Sequence, residues 1–134
     1  MNKISIIIVS YNVRTYLSNS IDSILKSSIE NFELIIVDNN SFDGTAEYIS
    51  NNHPSIKLIA NNSNVGFGKA VNQGAKIANS EHLLILNPDT IIEEDTLEKL
   101  INYIETNDKI GMVGPKILNA DGSLQLSCKR SFPT

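Results

Sequence analysis

The feature that most constrains the fold is the alternation of short β-branched runs with longer segments of helical period. The run over residues 4–9 is almost continuously apolar, which is typical of a strand buried on both faces of a parallel sheet. Similar runs follow at 34–37, 56–60 and 82–86, with room for a crossover helix between successive runs. The pattern predicts βαβ units in an α/β, Rossmann-like, mostly parallel sheet with helices on both faces.

The segments between the apolar runs predict four helices. Apolar residues recur at helical spacing over 13–25, where Asn12 is the expected N-cap, and over 97–104. A short helix over 45–49, capped by Asp43, and a helix beginning at Gly66 complete the set. Beyond them, residues 110–113 predict a fifth strand, and the turn 119–122 predicts a hairpin between 116–118 and 123–126.

Composition excludes several classes of protein. A length of 134 residues suits one domain, and a net charge of −4 argues against a large electrostatic surface for nucleic acid. A single cysteine, Cys128, excludes an internal disulfide framework and a multi-cysteine zinc site. No apolar run is long enough for a membrane span, and the opening run is too short for a signal peptide. We therefore expect a cytoplasmic chain without a membrane span.

Polar or glycine-rich loops follow the four predicted strands. Ligands of open parallel sheets bind outside the carboxyl ends of the strands, so these loops are the expected site. They comprise 10–12, 38–41, 64–69 and 87–89, and the second and fourth each supply an acid. Several polar loops at one sheet edge are what a nucleotide-type site requires.

Three other phosphate-binding folds do not fit. The first strand-to-helix turn, Ser10-Tyr11-Asn12, contains no glycine, so the dinucleotide fingerprint G-x-G-x-x-G is missing. The chain has no G-x-x-x-x-G-K-[ST] phosphate loop, and no acids follow the first strand as in a phosphoacceptor receiver domain. A nucleotide-sugar site remains.

An ordered set of motifs resembles the family 2 glycosyltransferases. It comprises Val9-Ser10-Tyr11-Asn12, Val37-Asp38-Asn39-Asn40-Ser41 with Asp43-Gly44-Thr45, Asn64-Val65-Gly66-Phe67-Gly68-Lys69-Ala70 with Asn72, and Leu86-Asn87-Pro88-Asp89. The later Gly114-Pro115-Lys116, Asp121-Gly122 and Arg130-Ser131-Phe132-Pro133-Thr134 resemble the rhamnosyltransferase-like branch. Each motif alone is weak, whereas the ordered set covers essentially the whole chain.

The resemblance implies a GT-A fold whose nucleotide-sugar-binding part is residues 1–134. Asp38 and Asn39 would face the base and ribose of the donor. Asp89 would hold Mg²⁺ or Mn²⁺, and Asn87 stands where an Asp-x-Asp motif has its first acid. The donor-binding residues implied are Ser10, Tyr11, Asn12, Asp38, Asn39, Gly66, Lys69, Asn72, Asn87 and Asp89.

The implied reaction is inverting transfer of a sugar, with rhamnose as a candidate, from a nucleoside diphosphate to a glycan or lipid-linked acceptor. The resemblance also implies that the general base and the acceptor-binding part lie beyond Thr134, so the chain alone should bind donor and turn over poorly. A full-length protein of this kind can work as a peripheral protein at the inner face of a membrane. The donor nucleotide, uridine or deoxythymidine diphosphate, stays open, as do the acceptor and the oligomeric state.

One carboxylate is chemically sufficient for the metal. A hard cation that bridges the diphosphate acts as a Lewis acid for the leaving group, and substrate phosphates and water fill most of its positions. Gly66 and Gly68 allow backbone N–H groups at a helix N-terminus to approach the ligand.

Structural interpretations of the same residues stay open beside the functional ones. Asn87-Pro88-Asp89 can be a simple turn, and Asp38 can serve an Asx turn. Tyr11 can stack on a base or belong to the core or rim, and Lys69 can be merely solvated. The rival functions are a non-catalytic nucleotide-binding or interaction module and a nucleotidyltransferase, although the latter usually needs a glycine-rich basic loop after the first strand.

Overall fold

The computed structural model describes residues 2–126. Strands and helices alternate as β1 (Ile4–Ser10), α1 (Arg14–Leu25), β2 (Phe32–Asp38), α2 (Thr45–Asn52), β3 (Lys57–Ala60), α3 (Phe67–Ile77), β4 (His82–Leu86) and α4 (Thr96–Ile104). The sheet has the order β3-β2-β1-β4, and every pair of neighbouring strands is parallel. The α/β prediction is therefore confirmed.

The two faces of the sheet are covered by different helices. On one face, Ile7, Ile35 and Val37 form a buried cluster with Ala70 of α3. Side chains alternate along a strand, so Ile6 and Ile8, which are also fully buried, point to the opposite face. Crossovers between parallel strands are right-handed in nearly all proteins, and this rule assigns α1 and α2, which connect β1 to β2 and β2 to β3, to that face. Helices on both faces explain why β1 has no polar face.

Helix α3 lies unusually close to β1. A Cβ atom built on Gly74 would lie 2.7 Å from Cγ2 of Ile7. Because real Cβ atoms do not approach a neighbour that closely, the absent side chain at this position allows the helix to contact the strand directly.

The start of α1 differs from the prediction. Asn12 is not its N-cap: it adopts a left-handed conformation with φ of 52°, and its Oδ1 accepts the Phe42 N–H at 2.7 Å. The first N–H of the helix, that of Arg14, instead donates to Oδ2 of Asp43 at 2.9 Å. A side chain from the next loop therefore replaces the local cap.

Asp43 serves the second helix as well. Its Oδ1 accepts both the backbone N–H, at 3.2 Å, and the hydroxyl of Thr45, the first residue of α2. Burial alone would raise the pKa of Asp43, but these hydrogen bonds and that from Arg14 outweigh it and lower the pKa below its ordinary value. One carboxylate thus satisfies free N–H groups at the starts of two helices.

The chain divides into two compact units between Leu97 and Glu98. In the second unit, Leu118 and Leu124 form an antiparallel bridge around a turn in which Gly122 has φ of 86°, so the predicted hairpin is present in short form. The predicted strand over 110–113 is wrong: that segment is assigned to no strand. Four residues interrupted by a glycine have little strand propensity. Cys128 and the motif 130–134 lie outside the described residues.

A buried carboxylate links three strands at the edge of the sheet where the strands begin. Glu33 of β2 accepts hydrogen bonds from the Ser5 hydroxyl and the Asn79 N–H, and it pairs with the Lys57 ammonium at 2.7 Å. Burial alone would raise the pKa of Glu33, but these bonds and the charge of Lys57 outweigh it and lower the pKa. One ionised group therefore joins β1, β2, β3 and the segment after α3 through hydrogen bonds and an ion pair.

The first prediction is that Glu33→Gln lowers the free energy of unfolding by about 1–3 kcal/mol at pH 7. The neutral amide has one acceptor oxygen, so it cannot bond Ser5 and Asn79 with one atom and Lys57 with the other as the carboxylate does. Since the folded pKa of Glu33 is depressed, its contribution is present above the ordinary glutamate pKa of about 4.3 and is lost as pH falls through the folded value. Urea unfolding at neutral and acidic pH should show the difference between the two proteins shrinking in acid. The exposed Glu30→Gln is the control, and a pH-independent difference would contradict the assignment.

The second prediction is that Asp43→Ala destabilises the chain by about 1–2 kcal/mol, since two helix starts lose their acceptor together. Asp43→Asn keeps one acceptor oxygen and should cost less. Asp22→Ala, an exposed substitution on α1, should leave the unfolding midpoint unchanged. Urea denaturation followed by circular dichroism gives all three values, and equal midpoints for Asp43→Ala and the control would show that the shared cap is unimportant.

Candidate functional site at the carboxyl edge of the sheet

The register of the sheet gathers the predicted loops at one edge. Ser10 pairs with Asp38 at the ends of β1 and β2, and Ile8 pairs with Leu86 at the end of β4. The three loops that follow these strands therefore leave the sheet at nearly the same level. Asp38 also pairs with Ala60, so β2 and β3 end side by side and the loop after β3 starts at the same edge.

The loop after β2 is held by the carboxylate of Asp38. This residue is only 2% exposed, and its carboxylate accepts the Ser41 N–H at 3.0 Å and the Ser41 hydroxyl at 2.5 Å. Asp38 thus has a structural role in its own loop, although it bonds the third residue on rather than the second, as an Asx turn would. A contact between this carboxylate and a donor base stays a prediction.

Asn12 and Ser41 join the first two loops. The Asn12 N–H donates to Oγ of Ser41 at 2.9 Å, in addition to the bond that the Asn12 side chain accepts from Phe42. Tyr11, which precedes this junction, is 46% exposed. Tyr11 is therefore not a core residue, and its ring is accessible to a ligand.

Asn39 joins the second loop to the segment before α3. It is 3% exposed; its Oδ1 accepts the Asn61 side chain at 3.0 Å and the Val65 N–H at 3.4 Å, and its Nδ2 donates to the Gly66 carbonyl at 3.4 Å. The amide predicted to face the donor is thus engaged with the protein. Its direct contact with base or ribose stays a prediction.

The start of α3 is open. Gly66 has φ of 86°, a conformation that favours glycine, and it accepts the first helical bond from Ala70 at 3.2 Å. A Cβ built on Gly66 or Gly68 would meet no atom within 4 Å apart from the adjoining residues and the backbone of the helix itself. The N–H groups of the first turn have no acceptor within the helix, and Lys69 and Asn72 are exposed beside them. An anion can approach this turn closely.

The loop after β4 carries the predicted metal ligand. The Thr90 N–H donates to the Asn87 carbonyl at 3.3 Å, so Asn87-Pro88-Asp89 is a turn, as its structural interpretation predicted. Asn87 and Asp89 are both exposed. Among residues 2–126, Ser10 Oγ is buried at the end of β1 without a hydrogen-bond partner.

No cluster of three or more histidine, cysteine or acidic residues suited to a metal occurs within the described residues. The donor set at this edge is a single exposed carboxylate with a neighbouring amide. Such a set fits Mg²⁺ or Mn²⁺ only together with substrate phosphates and water. The chemistry of Asp89 and Asn87 is therefore compatible with a metal that arrives with its nucleotide.

A separate groove of about 560 Å³ runs along α1 and reaches Asn12 and Asp43. The Arg14 guanidinium lies there 4.9 Å from the ring centre of Tyr48. The groove contains none of the predicted donor-binding residues except Asn12.

Sequence reasoning missed Asn61 and Gln73. Asn61, directly after β3, exchanges two hydrogen bonds of 2.9 Å with Gln73 of α3. The available signal was the position of Gln73 next to buried Gly74 and three residues after buried Ala70. A polar side chain at helical spacing from a buried face needs a partner.

None of the helices within residues 2–126 is long and apolar enough to cross a membrane.

Solved structures with a similar fold include a mannosyltransferase. One is S. aureus TarS, with a TM-score of 0.70, 28% identity and coverage of 77% of this chain and 32% of that one. Another is the mannosyltransferase PcManGT of Pyrobaculum calidifontis, solved with GDP-Man and Mn²⁺, with a TM-score of 0.74, 22% identity and coverage of 81% and 34%. The fold is therefore of the GT-A type.

Relatives in sequence are bacterial proteins, several of which are named as glycosyltransferases. An uncharacterized glycosyltransferase of Haemophilus influenzae is 33% identical over 83% of this chain, and the minor teichoic acid biosynthesis protein GgaB of Bacillus subtilis is 34% identical over 88%. The poly-beta-1,6-N-acetyl-D-glucosamine synthase of Staphylococcus epidermidis is 32% identical over 90%. The matched part spans 35%, 14% and 30% of these relatives' lengths, respectively. Residues 5–126 match the profile of Glycosyl transferase family 2, and the chain belongs to that family.

Proposed function

We propose that this chain is the donor-binding part of an inverting glycosyltransferase that transfers a sugar from a nucleoside diphosphate to a glycan or lipid-linked acceptor. The observation that carries the proposal is the gathering of four loops at the carboxyl edge of the sheet, in a chain of family 2. The edge combines an accessible aromatic ring, an open helix start and an unburied carboxylate, which are the groups that a nucleoside diphosphate needs.

The role of each group follows from its exposure. Tyr11 offers a ring face for the base. The first turn of α3 offers N–H groups to the diphosphate, with Lys69 adding a positive charge at its exposed side. Asp38 and Asn39, which are bonded within the protein, fix the loops around these groups.

Asp89 is the residue proposed to hold the metal, with Asn87 beside it. A bound Mg²⁺ or Mn²⁺ would supply Lewis-acid stabilisation of the negative charge on the leaving diphosphate. Asp89 is exposed and its carboxylate makes no hydrogen bond or ion pair within the described residues, so it is available to share a cation with a ligand. A site with so few protein ligands should bind the metal weakly until the nucleotide is present.

The identity of the donor sugar and the class of product are proposed from the relatives and from the sequence motifs. The relatives act in the biosynthesis of teichoic acid and of poly-N-acetylglucosamine, according to their names, and the motifs 114–116 and 121–122 resemble a rhamnosyltransferase-like branch. We therefore propose a cell-surface polysaccharide as the product class, and rhamnose as one of the sugars to be tested.

The third prediction concerns nucleotide binding. Calorimetric titrations with uridine, guanosine and deoxythymidine diphosphates should show binding that requires Mn²⁺, and one nucleotide should be preferred. Asp89→Ala should weaken this binding by about tenfold or more, which corresponds to about 1.4 kcal/mol or more. At about 100 times its dissociation constant, the preferred nucleotide should stabilise the fold by about 2.7 kcal/mol.

Asp22→Ala removes a carboxylate from α1 and should bind like the wild type. Binding that is unchanged without metal, or in Asp89→Ala, would contradict the metal site. Failure of all three nucleotides to bind would contradict the proposed donor site itself and favour an interaction module on the same fold.

A further inference from the structure

Three side-chain amides form a continuous chain between the sheet and α3. Gln73 and Asn61 exchange two hydrogen bonds of 2.9 Å, and Asn61 donates a further bond of 3.0 Å to Oδ1 of Asn39. Asn39 follows β2, Asn61 follows β3, and Gln73 lies in the middle of α3. The chain therefore ties two strand ends to the helix that begins at the proposed donor site.

The direction of every bond in this chain is fixed by its neighbours. Nδ2 of Asn61 donates both of its hydrogens, one to Gln73 and one to Asn39, while its Oδ1 accepts from Gln73. A side chain at position 73 must therefore donate and accept at once. Only an amide or a protonated carboxylic acid of this length can do both.

The last bonds of the chain reach the start of α3. Asn39 donates to the Gly66 carbonyl and accepts the Val65 N–H, each at 3.4 Å. The same Gly66 carbonyl accepts the first helical bond from Ala70 at 3.2 Å. The peptide that opens the helix is thus held from the sheet side by Asn39, whose own orientation depends on Asn61.

We propose that Asn61 and Gln73 are positioning residues that hold the opening turn of α3, residues 66–69, in the conformation that receives the donor diphosphate. The link to the donor rests on the proposed function. Gln73 lies about one turn beyond the end of that opening turn, and its side chain bonds to Asn61. Its effect on the donor therefore passes through Asn61 and Asn39.

The fourth prediction separates this role from a simple contribution to stability. Gln73→Ala should raise the dissociation constant of the preferred nucleotide in the presence of Mn²⁺ by about three- to tenfold, measured well below the unfolding temperature. Lys76→Ala, an exposed substitution one turn later on the same helix, should leave it unchanged. A Gln73→Ala protein with a lower unfolding temperature but wild-type affinity would overturn the proposal.

Gln73→Glu supplies a pH-dependent readout. The ionised carboxylate accepts from Asn61 but cannot donate to its Oδ1, whereas the protonated acid does both. The affinity of this variant relative to wild type at the same pH should therefore approach unity below the ordinary glutamate pKa of about 4.3 and fall as pH rises above it. A ratio that is constant with pH would contradict the amide chain as the cause.

A nucleotide-free measurement keeps this inference distinct from the proposed function. In ¹H–¹⁵N spectra of the free protein, the amide resonances of Gly66 and Gly68 should move in Gln73→Ala and Gln73→Glu and stay in place in Lys76→Ala. If the wild type binds no nucleotide, the donor site fails, and the resonances alone decide whether Gln73 positions the turn. If the Gly66 and Gly68 resonances stay in place in both Gln73 variants, the positioning role of Gln73 is overturned.

Discussion

Parallel pairing of β1 with both β2 and β4 is the constraint on which the rest of the structure depends. It makes β1 a strand with neighbours on both sides and helices on both faces, so its side chains are almost entirely apolar or buried. It also sends every strand end to the same edge. Polar residues that the interior cannot accept are thus concentrated where the chain leaves the sheet.

The loops at that edge are held by one another rather than by their own backbones. Asp43, in the loop after β2, accepts the first N–H of α1. The Asn12 N–H donates to Ser41 between the same two loops, and Asn39 bonds the segment before α3. Such bonds join residues about thirty positions apart in sequence. A ligand that meets this edge therefore meets loops whose shape is already fixed, which reduces the ordering cost of binding.

The apolar runs and the helical periodicity predicted the four strands of the sheet, the helices and the edge at which they meet, because burial on a parallel sheet leaves a clear pattern in sequence. The run over 110–113, which has no place in that sheet, predicted a strand that does not form. Residue roles within the loops were less accessible. Asn12 has the chemistry of an N-cap, yet a carboxylate thirty residues later competes for the same N–H and wins. The family motifs marked Asn39 as a ligand contact, whereas its partners Asn61 and Gln73 belong to no motif and become visible only when the chain is folded.

The close approach of α3 to β1 has a consequence for how sequences of this fold can vary. Gly74 and Ile7 fill one volume together, since a methyl group at position 74 would lie 2.7 Å from Cγ2 of Ile7. A larger residue at position 74 is compatible with the same distance between α3 and β1 only if the residue at position 7 becomes smaller. Positions 7 and 74 should therefore covary among related chains, and a pair that breaks this compensation would displace α3 outward and carry its opening turn away from the sheet edge.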